Sequence, residues 1–115
     1  MEVKGRNLFM VRGDTEQIIV SCAEDIQLEQ GDAIEFTVRE TAESPVRIIY
    51  KSVTEFTDNS ATIDIEPEDT NGKKFGSYVY DIQLTKANGD ITTIVKLASF
   101  TLEKEATYVS NTYSR

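Results

Sequence analysis

Apolar and polar residues alternate along most of this chain, and a period of two is the mark of strands with unlike faces. Residues 33–40 read Ala-Ile-Glu-Phe-Thr-Val-Arg-Glu. Ile34, Phe36 and Val38 fall on one side and Glu35, Thr37 and Arg39 on the other. The pattern predicts a strand whose apolar side faces a core. Residues 61–66 alternate in the same way. Tyr78, Tyr80, Ile82 and Leu84 line one face of a longer run, opposite Asp81 and Gln83. Residues 46–53 predict a strand after a turn at Pro45, and residues 7–12 and 17–22 supply two earlier ones. Residues 91–102 form the last run, which includes Phe100 as a core residue. Its alternation fails at Leu97-Ala98-Ser99, where a bulge or bend is expected.

The punctuation between these runs fits strands. Asn88-Gly89 is a strong short hairpin signal, because both residues tolerate positive φ. Asp58-Asn59-Ser60 predicts another hairpin, and Gln30-Gly31-Asp32 precedes the Ile34 strand. Residues 67–71 predict one short helical turn, with Pro67 at its start, acids in its first turn and Gly72 after it. About seven short strands at this spacing predict an all-β sandwich or barrel. Gly76-Ser77-Tyr78, downstream of Asp69, resembles the corner before strand F of immunoglobulin-like domains, where a tyrosine hydroxyl caps the corner. Tyr78 is then the corner residue, bonding backbone near residues 68–71, and Tyr80 stands where an antibody domain has its second cysteine. The alternative is that both rings face the core of an unrelated β-domain.

Composition narrows the chemistry. The 115 residues include no histidine, no tryptophan and one cysteine. A Ser-His-Asp triad, a Cys-His pair, a histidine metal site and an internal disulfide are therefore excluded. With 20 acidic and 12 basic residues the net charge is -8, which argues against nucleic acid as a partner. No apolar run approaches the roughly 18 residues of a membrane helix, so no membrane partner is expected. No apolar h-region follows the first residues, so no signal peptide is expected either. The size predicts one domain over residues 1–105, with residues 106–115 as a polar tail that is disordered or docks on a partner.

Few residues suggest a site. Arg12-Gly13-Asp14 spells an integrin-binding tripeptide, but glycine here also suits a turn between the first strands. Cys22 is followed by Glu24 and Asp25, which would raise a thiol pKa and disfavour a nucleophile. Glu66, Glu68 and Asp69 hold enough oxygens for calcium but lack EF-hand spacing, and the helical turn explains them without a metal. No catalytic residue, cofactor or metal is expected. Tyr108 and Tyr113 lie in the tail, as frayed residues or as an interface.

From Asp69 onward the order of motifs becomes specific. Asp69-Thr70 is followed by Gly76-Ser77-Tyr78-Val79-Tyr80-Asp81-Ile82-Gln83-Leu84, Asn88-Gly89-Asp90, Thr93-Ile94-Val95, Phe100-Thr101-Leu102 and Ala106-Thr107. With Arg12-Gly13-Asp14-Thr15 and Phe36-Thr37-Val38-Arg39, this resembles the N-terminal immunoglobulin-like β-sandwich domain of phage baseplate upper proteins and related tail-fibre proteins. The resemblance covers residues 8–107. It departs from the pattern at Leu97-Ala98-Ser99, where that family has a glycine. The resemblance implies an immunoglobulin-like sandwich of antiparallel strands and a non-enzymatic structural role in a phage or prophage tail. It implies a virion component made in the bacterial cytoplasm, whose partners are other tail or baseplate subunits or further copies of itself. A carbohydrate- or surface-binding sandwich is the alternative, although such modules usually expose an aromatic platform. The acidic charge then suits a subunit that stays dispersed until a complementary surface captures it.

Overall fold

In the computed structural model, which describes residues 1–106, strand follows strand with one helical turn between. The strands are β1 Glu2–Lys4, β2 Asn7–Val11, β3 Glu16–Ser21, β4 Ala33–Arg39, β5 Ile49–Val53, β6 Ser60–Ile65, β7 Gly76–Thr85 and β8 Ile91–Glu103. The helical turn α1, Pro67–Thr70, joins β6 to β7. Six strands form one sheet in the order β1-β2-β8-β7-β4-β5, and β3 and β6 form a second. The protein is therefore mostly β, as its alternation predicts.

The topology corrects the expectation of about seven antiparallel strands in two respects. β2 runs parallel to β8, with Leu8 opposite Phe100, so the large sheet is mixed. An eighth strand, β1, is folded back on β2 through Gly5, whose φ of +63° suits a tight reversal. Three residues with one apolar position carry too little pattern to predict such a strand. β5 also starts later than residue 46. The Val46 amide turns to Ser44 Oγ at 3.4 Å, and ladder bonding resumes only where Ile48 N donates to Val38 O at 2.7 Å.

Turn chemistry explains the hairpins. Asp58 and Asn59 both have positive φ, 52° and 58°, in the two-residue loop closed by Thr57 and Ser60. That is the backbone of a type I′ turn. The Asn88-Gly89 loop is different. Only Gly89 has positive φ, and Lys86 O accepts from Gly89 N while Lys86 N donates to Asp90 O. It is a three-residue loop that ends in a glycine bulge. The bulge expected in β8 is present on the 95–98 stretch: Tyr80 pairs with Ala98, but Ile82 pairs with Val95. A second irregularity follows at Ile94, between Ile82–Val95 and Gln83–Thr93.

Both sheets feed one core. Ile34, Phe36, Val38, Tyr80, Ile82, Leu84 and Phe100 are all buried, together with Ala61, Ile63 and Ile65 from β6 and Val20 from β3. Phe36, Tyr80 and Phe100 meet at its centre, with ring centroids 5.6 to 6.4 Å apart in tilted or edge-on pairs.

Candidate functional site

Among the described residues the second sheet has two strands, so β3 has no neighbour there on the side away from β6. Cys22 N donates to Asn59 O, which fixes the phase of the β3–β6 ladder. Glu16, Ile18 and Val20 then turn their backbone groups toward β6, and Gln17, Ile19 and Ser21 turn theirs outward. Among the described residues these outward groups have no backbone partner. The strand also lacks the usual protection of an edge. It has no proline and no lysine, it carries no charge from Gln17 to Ser21, and Ile19 is 66% exposed. The outer strand at one end of the large sheet, by contrast, is three residues long and carries Glu2 and Lys4. At the other end β5 carries Lys51, tied to Asp69 at 2.8 Å.

A groove of about 530 Å³ runs beside that edge. Ile18 and Val20 of β3 line it, with Val3 and Leu8 from β1 and β2 and Ile94 and Val95 from β8. β2 pairs with β8 only from Phe100 onward, so among the described residues positions 91–98 of β8 have no strand on that side. The β8 bulges lie in this same stretch. The Met1 amine sits at the groove, 2.8 Å from Glu16 Oε2. What the arrangement offers is chemical and simple: unpaired peptide groups next to an apolar trough. An extended chain satisfies both at once.

The predicted corner residues come together differently from the expectation. Tyr78 is buried near the start of β7, and its hydroxyl donates to Lys74 O at 2.6 Å rather than to residues 68–71. The loop after α1, not the helical turn itself, supplies the backbone acceptor, at Lys74. Burial pushes the Tyr78 hydroxyl pKa up, as it does for Tyr80, whose hydroxyl donates to Arg6 O. Asp69 does not touch the tyrosine. Its carboxylate accepts from Glu66 N at 2.8 Å and pairs with Lys51, capping α1 and fastening it to β5. Burial pushes the Asp69 carboxyl up, but the Lys51 ammonium and the Glu66 amide outweigh it and leave the pKa lowered. Gly76 adopts φ +135°, a backbone that favours glycine at the entry to β7.

The remaining candidates have structural partners. Arg12-Gly13-Asp14 is a turn in which Asp14 N donates to Val11 O. The Arg12 guanidinium is held by Glu105 at 3.0 Å and by Lys73 O, so it is not displayed. Gly13, at φ +88°, donates to Thr70 Oγ1 at 2.7 Å, and a Cβ there would lie 2.9 Å from Asn71 Oδ1. At Cys22 burial pushes the thiol up, rather than Glu24 or Asp25. Among the described residues, no group of three or more Cys, Asp or Glu is placed to hold a metal ion. The exposed aromatics Tyr50 and Phe75 form no shared platform. Arg47 lies 4.0 Å from the Tyr50 ring centre, and Lys104 lies 5.4 Å from that of Phe75.

Sequence reasoning missed the most buried carboxylate. Asp32, 1% exposed, accepts from Lys86 Nζ at 2.6 Å, Glu29 N at 2.9 Å and Ala87 N at 3.1 Å. It clamps the loop before β4 to the β7–β8 hairpin. The Lys86 hydrogen bond lowers the Asp32 pKa, and the same bond raises that of Lys86. Gln30-Gly31-Asp32 reads only as a turn, because the partner lysine is 54 residues away. Tyr108 and Tyr113 lie outside the described residues. No helix among the described residues is long and apolar enough to cross a membrane.

No protein-family model, curated protein or solved structure matches this chain.

Proposed function

We propose that this protein is a non-enzymatic structural component of a phage or prophage tail. On this reading it is an immunoglobulin-like sandwich that docks other tail or baseplate subunits, or further copies of itself. It is made in the bacterial cytoplasm and built into the virion, without nucleic-acid or membrane partners. The unprotected β3 edge beside an apolar groove is the observation that carries the docking role, since natural sheets rarely leave such an edge bare. The immunoglobulin-like reading is supported by strand order. β3 and β6 take positions B and E, and β4, β7 and β8 take C, F and G. It is supported also by Tyr78, whose hydroxyl bonds backbone four residues upstream at the start of the F position. The phage assignment rests on the ordered motifs from Arg12-Gly13-Asp14-Thr15 to Phe100-Thr101-Leu102.

Co-expression with the tail and baseplate proteins encoded beside it tests this reading. A stoichiometric complex with at least one of them is expected. If none binds, and particles lacking the protein assemble and infect normally, the reading fails.

A further inference from the structure

We propose that the β3 groove is a receptor for residues 107–115 of a second copy of this chain, which enter as an added strand. The inference rests on the docking role above and names its occupant.

The site suits a single strand. Val3 and Leu8 from β1 and β2 line the groove together with β3, so the unpaired edge and apolar side chains of the large sheet share one trough. One extended segment fits there, bonding the outward groups of Gln17, Ile19 and Ser21 while its alternate side chains meet Leu8, Ile94 and Val95. Residues 107–115 have the composition for this. They read Thr-Tyr-Val-Ser-Asn-Thr-Tyr-Ser-Arg, rich in strand formers, with no proline and no acid. Every acidic residue of the chain lies before Thr107, so Arg115 gives this segment the sign that an acidic body attracts. The nine residues span about 30 Å when extended, against about 20 Å for the six of β3.

On this proposal the donor is a neighbour rather than the same chain. β8 leads out through Glu105, which is held by Arg12, and neither of these residues lines the groove. A contact in which the tail of one copy enters the groove of the next is heterologous, and such contacts close into rings or extend into filaments. A tail strand between bodies also keeps two acidic domains from direct facing contact.

Amide hydrogen exchange on the full chain, read residue by residue over a concentration series, tests the proposal. Exchange at Gln17, Ile19 and Ser21 is expected to slow by about tenfold or more once most grooves are filled, and to recover on dilution. Ile18 and Val20, bonded to β6, stay protected throughout. The double variant Y108D/Y113D in the full chain is expected to abolish the concentration-dependent part and leave Ile18 and Val20 unchanged. Rapid exchange at the three outward amides at every concentration overturns the proposal. Protection that does not depend on concentration assigns the groove to the chain's own segment and also overturns it. Protection untouched by the double variant assigns another occupant, with the same consequence. A complex with a tail protein that forms without self-docking leaves the proposed function standing. Self-docking without any such complex upholds this proposal and counts against a separate tail-subunit partner.

Discussion

Asn59 shows how much one side chain does beyond its turn. Its backbone supplies the second positive φ of the β5–β6 reversal, at 58°. Its amide also donates to Ile26 O at 2.8 Å and Cys22 O at 3.2 Å, while its Oδ1 accepts from Leu28 N at 2.8 Å. The residue thus closes a hairpin and ties down the loop that follows β3. Glycine suits the turn as well as asparagine does, so Asn59→Gly separates the two roles. We expect the variant to lose about 1–3 kcal/mol in urea unfolding, from several partly buried hydrogen bonds left unmade. An unchanged midpoint would show that the loop contributes nothing to stability. The turn was legible in the sequence because it depends on two adjacent residues. The loop contacts were not, since they join positions more than thirty apart.

At the scale of elements, the clamp between the loop before β4 and the β7–β8 hairpin sets an acid limit. The Asp32 pKa is lowered in the fold, first of all by the Lys86 hydrogen bond. A carboxylate of lowered pKa contributes stability that is present above its unfolded value, ordinarily about 3.9, and that is lost as pH falls through the folded value. Stability should therefore drop below about pH 4, with a steeper limb in the native protein than in Asp32→Asn. Thermal unfolding between pH 2 and pH 6 measures this, and parallel limbs in the two proteins would count against the clamp. Lys86 has the opposite sign: its raised pKa contributes stability below the unfolded value, which is lost as pH rises through the folded one. The strands themselves were legible. β4 and β7 alternate cleanly, and their inward residues Ile34, Phe36, Val38, Tyr80, Ile82 and Leu84 are buried. β1 escaped because three residues hold no period, and the start of β5 was misplaced because apolar Val46 precedes the ladder and stays 59% exposed.

Over the whole molecule, a charge of -8 on 115 residues opposes compaction. Added sodium chloride screens that repulsion within a Debye length of about 8 Å near 0.15 M. We expect Tm to rise by a few degrees from low to physiological ionic strength. A fall would mean that screened ion pairs such as Lys86–Asp32 and Lys51–Asp69 outweigh the net repulsion. The sequence by itself determined seven of the eight described strands, the inward faces of the long ones and two of the turns, because a period of two and the φ of a tight turn are local properties. It also determined what chemistry the chain lacks residues for. Only the tertiary structure decided that β2 runs parallel to β8, that Asp32 meets Lys86, and that β3 ends a sheet with its outward peptide groups unpaired among the described residues. Each of these depends on which distant segments lie side by side. Backbone pairing is nearly blind to side-chain identity, so no local pattern announces the neighbour or its absence.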